Sequence, residues 1–258
     1  MFFHIKIFLY SIIFFLLAQF ISSDYFSSTI LSFSKTGIWA LILLIIILLT
    51  YFYQIVRRVS QRRSMTPMPL LFTLSTWGLL YFVQSRNQQY ALIILSSIVY
   101  YLVHISLYRL HVYYKDETAR GIIAAGSIAT FFTFYSMSYG IYLNFDIPLW
   151  IFILLLTIAT IFISFQYFWL INENKKDAMK YSLILGLIMS EIAWTLNFWP
   201  FGYLTTSVIS LIFYYVFWDL IKSHFLNELS KRRVVANMIF FGFLVTLILL
   251  STKWLPVV

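Results

Sequence analysis

Residues 148–171 read PLWIFILLLTIATIFISFQYFWLI, a run without a single charged side chain. An α-helix rises 1.5 Å per residue and needs about 20 apolar residues to cross a bilayer, so this stretch is long enough for one crossing. Its neighbours repeat the pattern. Segments near 5–22, 37–56, 68–84, 90–112, 119–142, 148–171, 180–200, 203–221 and 234–253 all meet or nearly meet the same requirement. The third is the shortest, because Thr66, Pro67, Met68 and Pro69 delay its start. The fold class this predicts is an all-α membrane protein, a polytopic helical bundle of about nine transmembrane helices forming one domain over residues 1–258.

The rest of the composition agrees. The chain is 62% hydrophobic and 10% charged, with a mean hydropathy of +0.88, outside the balance of soluble domains. The longest stretches outside apolar runs are Ser22 to Thr36, Arg57 to Pro69 and Lys222 to Arg233, too short to bury a soluble core. Function must therefore reside in the helices or the short loops. With no Cys, disulfides, thiolate metal sites, iron–sulfur clusters and thiol chemistry are excluded. The formal net charge of +9 reads as topology and contact with anionic headgroups, not as a nucleic-acid footprint.

The basic residues test the span count. Lys6, then Arg57, Arg58, Arg62 and Arg63, then Arg109, Lys115 and Arg120, then Lys175, Lys176 and Lys180, then Lys222, Lys231, Arg232 and Arg233 fall on alternate loops. Only Lys35, Arg86 and Lys253 fall on the other side. Were segment three to dip into the membrane and return, the later basic loops would change sides, so the alternation supports nine crossings with the amino terminus in the cytoplasm and the carboxyl terminus outside. The localisation expected is the cytoplasmic membrane of the cell, in multi-pass form. Segment one ends Ala18, Gln19, Phe20, Ile21, Ser22 and Ser23, without a small-x-small cleavage pattern, so an uncleaved first helix is expected.

One acidic residue stands apart from the loops. Glu191, in SEIAWTLNFWPFG at 190–202, lies eleven residues beyond Lys180, about 16 Å into the membrane. A charge at the helix centre costs roughly 2.5 to 3.5 kcal/mol, so the carboxyl should be protonated, paired or facing a polar cavity. Ser190, Trp194 and Asn197 at i, i+4 and i+7, with Glu191 and Thr195 beside them, define a polar-aromatic side expected to face protein. The turn Pro200, Phe201, Gly202 makes segments seven and eight antiparallel neighbours and sets Glu191 level with Ser210 to Phe213; its expected partner is Ser210 or Tyr214. Two roles stay open for Glu191: a proton-titrating or cation-contacting site, or a neutral hydrogen-bond clamp between helices.

Segment four carries a second feature: Ser97, Tyr101, His104, Tyr108 and His111 recur at helical spacing and should face neighbouring helices. Seven residues separate the two histidines, about 10 Å along the axis, too far for one metal ion. Tyr203, Ser207, Ser210 and Tyr214 on segment eight, and Thr130, Thr133, Tyr135, Ser136, Ser138 and Tyr139 on segment five, read as buried hydroxyls used in packing. Ala125, Gly126, Ala129 and Thr130 give the small-x-x-x-small spacing that lets a helix approach closely. Lys222, His224, Lys231, Arg232 and Arg233 bracket Glu228 in a cluster expected to meet anionic headgroups.

The stretch SEIAWTLNFWPFGYL, followed by IFYYVFWDLIKSHFLNELSKRR and a final helix closing with Trp254, resembles the carboxyl-terminal part of uncharacterised polytopic membrane proteins from small-genome bacteria. The resemblance runs from Ser182 onward, implies a bacterial source, and carries no reaction to transfer.

HExxH, GxSxG, a Walker lysine, paired Asp-rich motifs and a His box are all missing from the sequence, so no catalytic residues, cofactor or metal are expected. The leading expectation is binding or transport of a small or lipidic solute near Glu191, with Ser190, Trp194, Asn197, Ser210, Tyr214 and His104 contributing. The alternatives are a non-catalytic membrane scaffold or assembly subunit with a membrane protein partner, and an intramembrane enzyme using Glu191 and His104.

Overall fold

The computed structural model describes residues 2–23, 46, 48, 50–59, 66–171, 174–199 and 201–251. Most of the second expected span, with Lys35, Arg62, Arg63, Pro200, Lys253 and Trp254, lies outside the described residues. All regular structure among the described residues is helical. The elements are α1 (Phe2–Ile21), α2 (50–59), α3 (Pro67–Phe82), α4 (Arg86–Val112), α5 (Glu117–Asn144), α6 (Leu149–Ile171), α7 (Lys175–Leu196), α8 (Tyr203–Phe225) and α9 (Lys231–Ser251). Each overlaps one of the expected segments. Six of them, α1 and α4 to α8, are long and apolar enough to cross a membrane. The shortness expected of the third segment is present: α3 has 16 residues, about 24 Å of helix, and starts at Pro67, where a missing N–H costs nothing.

Helix boundaries follow capping chemistry more closely than the edges of the apolar runs. Asn174 stops the chain before α7, its side chain accepting from the Lys176 N–H at 3.1 Å. Asp116 serves α5 in the same way, accepting from the Ala119 N–H at 3.0 Å while Arg109 donates to its other oxygen at 2.8 Å. Between α8 and α9 the chain reverses through Asn227, whose φ of 54° is one that asparagine tolerates better than most residues.

The chain forms two compact units, Met1–Thr130 and Phe131–Val258, with the boundary inside α5. In the first, α4 is the central helix, packed by α1 and α3. Ser11 on α1 donates to the Ser97 carbonyl on α4 at 3.0 Å, and Phe14 stacks on Tyr100 with centroids 4.6 Å apart. A Cβ at Gly126 would lie 2.5 Å from Val103 and 2.6 Å from Met68, so the small-residue pattern on this part of α5 does permit a close approach.

The second unit is built on α6 and α7, its most extensive helix pair. A Cβ at Gly186 would sit 2.5 Å from Ile161 Cγ1, so the absence of a side chain there sets how closely these helices pack. Ala178, Ser182, Leu185, Gly186, Met189, Ala193 and Leu196 form the buried face of α7. Next, α8 packs on α7, and α9 on α8. Leu196, Phe201 and Ile209 make a small core at the α7–α8 turn.

Candidate functional site

Glu191 emerges on the outward side of α7. Successive residues of a helix are rotated by 100°, so Glu191, two positions from both Met189 and Ala193, lies across the axis from the buried face. Its companions on the outward side are Leu187 at 60% exposure, Trp194 at 51% and Phe198 at 67%. Trp194 packs edge-on against Phe198 at 5.2 Å. The Thr195 hydroxyl turns to the Glu191 backbone carbonyl at 2.9 Å and the Ser190 hydroxyl to the Leu187 carbonyl at 2.7 Å. Among the described residues, the Glu191 carboxylate has no ion pair and no hydrogen bond.

The expectation that this polar-aromatic side faces protein is therefore corrected. So is the pairing of Glu191 with Ser210 or Tyr214. Ser210 donates to the Thr206 carbonyl at 2.9 Å, and the Tyr214 hydroxyl meets Ser164 Oγ at 3.3 Å while its ring stacks on Phe131 at 4.0 Å. Both are fully buried. Antiparallel adjacency holds, but the hydroxyl face of α8 looks inward while the carboxylate looks out. Asn197 also leaves the group, donating to the Tyr142 hydroxyl at 3.2 Å. Only Ser190 and Trp194 remain beside Glu191. His104 belongs to the other unit.

Some inward hydroxyls of the second unit bond to one another, and others to backbone carbonyls. Tyr135 meets Thr160 Oγ1 at 2.9 Å and stacks on Phe131, and Tyr139 reaches the Ala193 carbonyl at 3.5 Å. These bonds fit the packing role expected for the α5 and α8 hydroxyls, although Ser136 and Ser138 on α5 are buried without a hydrogen-bond partner among the described residues.

A carboxylate overlooked as a site is fully engaged. Asp219, near the end of α8, accepts from Arg233 Nη2 at 3.0 Å on one oxygen, and from Arg233 Nε at 3.3 Å and Asn237 Nδ2 at 2.8 Å on the other. Arg233 also holds Glu228 at 3.2 Å. The signal in the sequence was Arg233 and Asn237, one helical turn apart on α9, opposite an acid across the turn.

In the first unit Tyr101 and Tyr108 of the α4 stripe meet α1, whereas His111 at its end is exposed. Tyr108 stacks on Phe3 at 4.9 Å and Tyr101 meets Phe8 edge-on at 6.3 Å. His104 is deeper, 0% exposed, with its ring 4.0 Å from that of Tyr100. Its Nδ1 lies 2.8 Å from the Tyr100 carbonyl oxygen. A carbonyl only accepts, so Nδ1 carries a proton and donates this bond, which leaves Nε2 to be met from elsewhere. That Nε2, the Tyr100 hydroxyl, Thr76 Oγ1 and Trp77 Nε1 are all buried without a hydrogen-bond partner among the described residues. Each such group costs about 1–3 kcal/mol while it stays unpaired. Phe14 and Phe52 each contact both Trp77 and Tyr100, at 4.6 to 6.2 Å, so these groups share one aromatic neighbourhood. Of this group the α4 stripe pointed only to His104; Tyr100, four residues before it, was the available clue.

No curated protein and no solved structure matches this chain. A family model described as "Protein of unknown function (DUF5656)" matches residues 11–252, from within α1 to just past α9, well beyond the carboxyl-terminal part that carried the resemblance. On that match the chain belongs to DUF5656, a family whose function is unknown.

Proposed function

We propose that this chain is a multi-pass protein of the cell membrane, with its amino terminus in the cytoplasm and its carboxyl terminus outside, acting as an assembly subunit that docks a helix of a membrane partner on α7. Six long apolar helices and the alternation of basic loops support the membrane placement. Arg57, Arg58, Lys175, Lys176, Lys231 and Arg232 are exposed, suited to anionic headgroups, and Lys175 lies 4.5 Å over the Trp169 ring.

The observation that carries the docking role is Glu191: a carboxylate without a partner among the described residues, in an outward row of Leu187, Trp194 and Phe198. Left in hydrocarbon it costs roughly 2.5 to 3.5 kcal/mol, and intramembrane polar groups are ordinarily met by protein. The partner helix that fits presents Lys, Arg, His or an amide donor at that depth. A second copy in a parallel pair would set Glu191 against Glu191, placing like charges together.

A photo-crosslinking residue at Leu187, in membranes holding the native partners, tests this. The expected outcome is one protein adduct, mapped to a transmembrane helix with a donor side chain, that disappears in Glu191→Leu. Adducts to lipid alone would reject docking at this face.

A further inference from the structure

We propose that the groove between α2 and α3 seats an acyl chain of an anionic phospholipid whose phosphate is held by Arg57. The proposal rests on the membrane placement argued above and is independent of the Glu191 interface.

The apolar part is a groove of ≈ 370 Å³, lined by Thr50 and Tyr53 of α2 and by Leu70, Leu71 and Leu74 of α3. That volume falls within the range of small-ligand sites, roughly 300 to 1,000 Å³. No charged side chain lines it, so what it accepts is hydrocarbon. Both walls come from the same end of the helix pair, since Tyr53 precedes the end of α2 by six residues and Leu70 follows the start of α3 by three.

The polar part is a charge beside that groove. At 100° per residue, Thr50 and Tyr53 stand about 60° apart around the α2 axis, and Arg57 falls between them in direction, about 6 Å beyond Tyr53. Arg58 is turned a further 100°, away from the groove. Arg57 is exposed and has no ion pair or hydrogen bond among the described residues. The sequence offers it no nearby carboxylate. No Asp or Glu occurs between Asp24 and Asp116, and Asp116 and Glu117 are taken by Arg109 and Arg120. On the membrane reading the loop holding Asp24 is outside, whereas Arg57 is at the cytoplasmic surface, the level of a headgroup phosphate. A guanidinium meets a phosphate through two parallel N–H donors. A net negative headgroup leaves that bond uncontested, whereas the ammonium of a zwitterionic headgroup offsets its own phosphate.

The test uses the full-length protein in phosphatidylcholine nanodiscs holding a trace of phosphatidylglycerol with a diazirine on one acyl chain. Irradiation should label peptides spanning residues 50–53 and 70–74. Adding unlabelled phosphatidylglycerol to the bilayer should compete this labelling away, whereas an equal addition of phosphatidylcholine with the same chains should not. Arg57→Gln should reduce the labelling about fivefold, the effect of one basic residue at an anionic surface. Arg57→Lys should restore most of it, and Arg58→Gln should leave it nearly unchanged. Equal competition by phosphatidylcholine would overturn the proposal by making the groove ordinary lipid-facing surface. Equal losses in Arg57→Gln and Arg58→Gln would overturn it too, leaving only a general basic surface. Release of the protein from membranes by alkaline carbonate would remove the membrane placement itself, and this site with it. The competition is read on the wild type, so it decides the matter whatever the fate of the variants.

Discussion

Asp219 and Glu191 are both acidic residues on adjacent helices of the second unit, and the structure treats them in opposite ways. Asp219 has a side chain only 12% exposed and is gripped by three donors from α9. Glu191 stands in an outward apolar row and is met by none among the described residues. The first is spent on joining two helices of its own chain; the second is left available to something outside it. What separates them is rotation about a helix axis, since a shift of one residue turns a side chain by 100°.

The largest effect that can break this contrast is Asp219→Ala, which strands the Arg233 guanidinium with Glu228 alone. It should cost about 2 kcal/mol in denaturant unfolding of the purified protein, less than a fully buried pair because Arg233 is a third exposed. Unchanged unfolding would place Asp219 in the same class as Glu191. Arg233→Lys should cost about 1 kcal/mol, as an ammonium cannot reproduce the guanidinium fork that engages both oxygens of Asp219. Asn237→Ala should cost somewhat less, about 0.5 to 1 kcal/mol, with Arg233 still holding the carboxylate. A double-mutant cycle over Arg233 and Asn237 would show whether the two donors couple, as members of one hydrogen-bond network should. Smallest of all, Glu191→Gln should change the unfolding of the isolated protein by no more than about 0.5 kcal/mol, as expected where no internal contact is lost. A larger loss would mean that Glu191 supports its own fold, and the contrast with Asp219 would dissolve.

Helix positions were legible because apolar runs such as 148–171 have the length of a crossing, whereas helix starts such as those after Asp116 and Asn174 are set by polar caps outside the apolar runs. Rotational settings were harder to read. The short turn after α7 correctly makes α7 and α8 neighbours, yet adjacency does not say which faces meet. The expected site around Glu191 was assembled from polarity, whereas the face of α7 that packs is marked by small residues: Ala178, Ser182 and Gly186 at intervals of four, then Ala193. Small side chains let helices approach, so this row was the better guide to the interior, and it puts Glu191 outside. The Asp219 grip was hidden for another reason: its donors lie in a basic cluster whose ordinary meaning is membrane orientation. In the first unit, His104 was visible through its stripe, but Trp77 and Thr76 come from a helix with no polar periodicity to attract notice.

The Asp219 grip has a consequence for how the chain is made. On the membrane reading, α8 leaves the ribosome carrying a carboxylate whose neutralising partner is encoded fourteen residues later. On the same reading Asp219 lies at the cytoplasmic end of α8, three residues before Lys222, so the grip forms at the membrane surface, and α8 is fastened to α9 only once Arg233 and Asn237 have emerged from the ribosome.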